Sequence, residues 1–73
     1  MRYLIPDATG HTVLEFDKAS PEDLARAAKM FDELVKGQRN AAYTRNPGEQ
    51  SKLTREHDPN AEETVFFRPL QGG

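Results

Sequence analysis

Thr64-Val65-Phe66-Phe67 is the stretch on which the fold turns. Its apolar residues are consecutive, so as a strand it needs neighbours on both edges and at least partial cover on both faces. Tyr3-Leu4-Ile5, near the other end of the chain, has the same character. Two strands of this kind in a 73-residue chain belong together at the middle of one sheet, and the thinner, more polar segments belong outside them.

Working outward, His11-Thr12-Val13-Leu14-Glu15-Phe16 alternates, with Leu14 and Phe16 on one side and Glu15 on the other. Asp7-Ala8-Thr9-Gly10 supplies the turn that folds this segment back on Tyr3-Ile5 as a hairpin. Ser20 is a helix N-cap, Pro21 suits the first helical position, and Glu22 and Asp23 put negative charge at the positive end of the helix dipole. Leu24, Ala27, Ala28, Phe31, Leu34 and Val35 recur at three- and four-residue steps, with Arg26, Lys29, Asp32, Glu33 and Lys36 opposite them. One amphipathic helix over Pro21 to Lys36 is predicted, ended by Gly37 as a cap at positive φ. Ala41-Thr44 and Lys52-Arg55 are weaker strands joined through Asn46-Pro47-Gly48, where Pro then Gly fits the centre of a type II turn. The expected architecture is α+β, a mixed sheet with a single helix across one face. With its first and last strands as central parallel neighbours, it has the form of a β-grasp.

Composition narrows the functions. A chain this short buries only about 60% of its unfolded surface, which leaves little room for a deep enzymatic pocket. It contains no Cys, which removes disulfides, thiolate metal sites and thiol catalysis and fits a cytoplasmic protein. No apolar run approaches the length of a membrane span, and Met1-Pro6 is too short for a secretory signal. The net charge is -2. Lys36, Arg39, Arg45, Lys52 and Arg55 are followed by Glu56, Asp58, Glu62 and Glu63, which reads as a mixed solvated surface and not as a nucleic-acid footprint. His11 and His57 share no metal-ligand spacing and read as exposed histidines, so neither metal nor cofactor is expected. Asp7 and Glu15 flank the hairpin turn without a nucleophile beside them, and no catalytic constellation is visible.

The sequence closes on Pro69-Leu70-Gln71-Gly72-Gly73. The plain reading is a frayed end or an expression boundary. The other is that the terminal carboxylate is the working group. Pro69 cannot donate to a strand ladder, which divides the chain into a domain at residues 1–69 and an arm at residues 70–73.

In length, in the order hairpin, helix, strands, in the turn Thr9-Gly10-His11-Thr12 and in the closing Gly72-Gly73, the chain resembles ubiquitin and its small relatives, including prokaryotic modifiers and sulfur carriers. The resemblance implies a protein that is a substrate of enzymes, not an enzyme. It also implies a cytoplasmic monomer that meets an adenylating enzyme, a target protein and an isopeptidase, with no nucleic-acid or membrane partner. Gly73 would carry the acyl group, Gly72 would let backbone thread the activating site, and Leu70 would anchor the arm or else make a last core contact. Lys18, Lys29, Lys36 and Lys52 would be the acceptors for chain formation, each otherwise a solvated surface lysine. Two other readings stand beside the modifier: a sulfur carrier through a C-terminal thiocarboxylate, and a small non-catalytic binding or structural module, for instance of phage origin.

Overall fold

A computed structural model of the chain describes residues 1–69. The order is β1 (Arg2–Asp7), β2 (Gly10–Glu15), α1 (Pro21–Asp32), β3 (Ala41–Arg45), β4 (Lys52–Thr54) and β5 (Glu63–Phe67), with a π-helical turn over Glu33–Gly37 continuing α1. The five strands form one mixed sheet in the order β2-β1-β5-β3-β4. β1 and β5 are parallel, with Tyr3 beside Thr64 and Leu4 beside Val65, and the other pairs are antiparallel. The two apolar segments at opposite ends of the chain are therefore central neighbours, as their composition requires. Pairing of β1 with β5 ends at Leu4 and Val65, before Pro6, whose missing N–H could not serve a ladder there.

The helix covers one face. Tyr3, Phe16, Ala27, Phe31, Leu34, Ala42 and Phe66 form the buried core, with Ile5, Leu14 and Met30 packed against it. The aromatic rings meet edge-on: Tyr3 on Phe16 at 4.9 Å and on Phe66 at 5.0 Å, and Phe31 on Phe66 at 5.5 Å. Such contacts add about 0.5–1.5 kcal/mol per pair beyond area burial, which matters in a core this small. The Tyr3 hydroxyl donates to the Ala27 carbonyl at 3.0 Å, tying the central strand to the helix.

Local signals account for most element ends. The Ser20 hydroxyl accepts from the Asp23 N–H at 3.3 Å, and Pro21 opens the helix. In the β1–β2 hairpin, Asp7 accepts from the Thr9 N–H at 2.7 Å and from the hydroxyls of Thr9 and Thr12, which fixes the two-residue loop and leaves Gly10 at φ +130°. These bonds favour the ionised form and hold the Asp7 carboxyl below the usual carboxylate range. Asp7 is therefore a turn residue. At Asn46-Pro47-Gly48-Glu49 the Glu49 N–H returns to the Asn46 carbonyl at 3.1 Å with Gly48 at φ +77°, the geometry expected of Pro-Gly there.

The helix end differs from expectation. Gly37 does not take positive φ; the non-glycine residue Arg39 does, at 58°. Instead of a glycine cap after a regular last turn, α1 widens: the Gln38 N–H bonds the Glu33 carbonyl and the Asn40 N–H bonds the Leu34 carbonyl, both at 3.0 Å. The widened turn satisfies terminal carbonyls while Leu34 stays buried, so the change of direction falls two residues later.

Candidate functional site

The described residues bring the anticipated functional groups together at no single point. Lys18 is tied across the surface to Glu62 and to the Asn60 carbonyl, 3.3 Å away. The ion pair holds the Glu62 carboxyl below its usual range. Lys36 lies 3.6 Å from Asp32 one helical turn back. Lys29 and Lys52 are exposed on α1 and on β4. Leu70, Gly72 and Gly73 lie outside the described residues.

His57 departs from the exposed histidine expected. It is half-buried, its ring 6.2 Å from that of Phe31, and its buried Nε2 has no hydrogen-bond partner. Burial pushes its pKa below the usual imidazole value, opposed in part by the nearby Asp58 carboxylate. The reason is tertiary: the loop before β5 lays His57 against the core. Because the unfolded chain binds a proton near pH 6.5 that the folded chain resists, stability falls as pH drops below that point. Urea midpoints measured from pH 7.5 to 5.0 are expected to decline, and His57→Phe is expected to flatten that slope. An equal decline in the variant would place its origin elsewhere.

Among the described residues no three His, Asp or Glu side chains could together hold a metal ion. No described helix is long and apolar enough to cross a membrane. Two open clefts of about 500 Å³ flank the sheet. One is lined by Arg2, Phe16, Arg45 and Glu63. The other is lined by Val35, Asn40, Leu53 and Pro69, at the end where β5 runs out. Neither contains an oriented nucleophile and base.

The best-defined surface is the sheet face turned away from α1. Strand pairing places one residue from every strand in a row across it: Val13, Leu4, Val65, Tyr43 and Leu53. Val13 is 53% and Leu53 78% exposed. On one side of this row Tyr43 packs on Phe67, ring centroids 5.8 Å apart, and Pro6 stands paired with His11. On the other side runs a charged row, Glu15, Arg2, Glu63 and Arg45. Within it Arg2 lies 3.6 Å from Glu15 and 3.5 Å from Glu63, and Arg45 lies 2.6 Å from Glu63. The Glu63 side chain, 16% exposed, is thus clasped by two arginines. Sequence reading missed this face. The alternation Glu63-Val65-Phe67 and Arg2-Leu4-Pro6 was its signal, but only register aligns the segments into rows.

The fold and this face define a small α+β domain, a five-stranded mixed sheet with one helix. Comparison with protein-family models, with curated proteins and with solved structures returns no match for the chain.

Proposed function

We propose that the chain is a β-grasp protein of the ubiquitin-like kind, acting as a modifier through its terminal glycine. The observation that supports this reading is the strand order β2-β1-β5-β3-β4: the central strand β5 leads through Arg68-Pro69 directly into Leu70-Gln71-Gly72-Gly73. On this reading the Gly73 carboxylate attacks the α-phosphate of ATP and releases pyrophosphate. An enzyme thiol then displaces AMP, and a target amine displaces the thiol to leave an amide. Gly72 and Gly73, without Cβ atoms, let the activating enzyme close on the backbone. The chain itself supplies no catalytic group; its partners are the adenylating enzyme, the target and an isopeptidase.

A second reading, a non-catalytic binding module, draws on the apolar row of the outer sheet face, a surface that needs no working tail. Incubation with ATP and the adenylating enzyme encoded nearest to it separates the two. The intact mass is expected to show an adenylate, thioester or conjugate. Removing Gly72 and Gly73 is expected to abolish that product without moving the thermal melt. A thiocarboxylate would redirect the assignment to a sulfur carrier. Full activity of the truncated protein in its host would leave the binding module.

A further inference from the structure

The charged row reads Glu15, Arg2, Glu63, Arg45 across β2, β1, β5 and β3, with signs alternating minus, plus, minus, plus. Such an order has a property that an arbitrary mixture of charges lacks: reversed, it is its own complement. We propose that the outer sheet face is a homodimer interface, formed about a two-fold axis that runs parallel to the strands between β1 and β5. The inference is independent of the tail.

The rotation keeps each row at its own height along the strands and reverses strand order. Glu15 then faces Arg45 of the second copy, and Arg2 faces Glu63. In the next row Leu4 faces Val65 and Val13 faces Tyr43, apolar on apolar. Pro6 meets Phe67 in the third, and Leu53 on β4 overhangs the edge of the opposing sheet. Two sheets packed face to face keep their strands within about 30° of each other, so rows near the axis stay matched. An isologous contact of this kind closes on itself and leaves no sticky end.

Each element of the face has a separate part in the contact. Val13, Leu4, Tyr43 and Phe67 supply the burial. The charges, already paired within one copy, set register and orientation more than affinity. With strands about 4.8 Å apart and same-face residues about 6.8 Å apart, the footprint is roughly 500 Å² per copy, about 1,000 Å² for the pair, at the lower bound for a specific interface. Association in the micromolar range is therefore expected, not an obligate dimer.

Sedimentation equilibrium of the full chain from about 10 µM to about 1 mM tests this over the range in which so small an interface associates. The wild-type chain is expected to pass from monomer to dimer and to stop there. Glu15→Arg, at a side chain 75% exposed on an edge strand, sets like charges against each other twice in the symmetric pair and is expected to weaken association at least about tenfold. Arg45→Glu is expected to do the same. Mixed in equal amounts, the two variants are expected to form a heterodimer, because each new charge then meets its opposite; a mass tag on one variant identifies it. Far-UV circular dichroism verifies that both remain folded. Glu15→Arg alone, which spares the Arg45–Glu63 pair, carries the comparison if Arg45→Glu unfolds. A wild-type chain monomeric at the highest concentration overturns the proposal, as do single variants that dimerise like wild type or folded variants that do not recover on mixing.

Discussion

Phe31→Ala is expected to remove about 3–5 kcal/mol of stability, the usual cost of truncating a buried phenylalanine. Phe31 is 1% exposed and lies between the Phe66 ring on the sheet and the His57 ring on the loop before β5. Truncation opens a cavity where helix, central strand and loop meet, and none can close it without giving up other contacts. Domains have about 0.05–0.15 kcal/mol of stability per residue, so for a chain of 73 residues the loss is a large share of the whole. The variant should be largely unfolded at 37 °C by circular dichroism, whereas Phe31→Leu, which keeps most of the volume, should remain folded with a lower midpoint. An unchanged melt for Phe31→Ala would show that α1 does not pack by this face.

Much of this arrangement is legible in the sequence because it depends on local or compositional rules. Ser20-Pro21 can begin a helix whatever surrounds it. Pro47-Gly48 makes its turn from intrinsic φ preferences. The central place of the first and last strands, paired in parallel over Arg2–Leu4 and Glu63–Val65, follows because consecutive apolar residues have no tolerable place at a sheet edge. What was not legible depends on how distant segments meet. Gly37 has the chemistry of a cap, but the buried position of Leu34 and the Asn40 N–H favour a widened turn, moving positive φ to Arg39. His57 is flanked by polar residues and reads as exposed; a tertiary contact with Phe31 buries it. The outer face is the clearest case. Val13, Leu53 and Tyr43 lie far apart along the chain, and a register shift of one residue would disperse them between the two faces. The candidate conjugation residues Leu70, Gly72 and Gly73 were legible as chemistry alone.

Tyr3 tests the join between sheet and helix from the opposite side. Tyr3→Ala is expected to cost at least as much as Phe31→Ala, because it removes the ring between Phe16 and Phe66 and the hydroxyl that reaches Ala27. Tyr3→Phe isolates the hydroxyl. The Ala27 carbonyl lies inside α1, where helical geometry also offers it the Phe31 N–H, so losing the phenol should cost only about 0.5–1.5 kcal/mol at neutral pH. At alkaline pH that advantage of the wild-type chain should shrink. Burial raises the Tyr3 pKa above the ordinary phenol value, so the folded chain keeps a proton that the unfolded chain releases. Stability linked to that proton is complete below about pH 10 and declines as pH rises through it. Urea midpoints from pH 8 to 11 should therefore fall more steeply for the wild-type chain than for Tyr3→Phe, and the two curves should converge. Parallel curves would mean that the Tyr3 hydroxyl is open to solvent and that the bond to Ala27 does not hold the central strand to the helix.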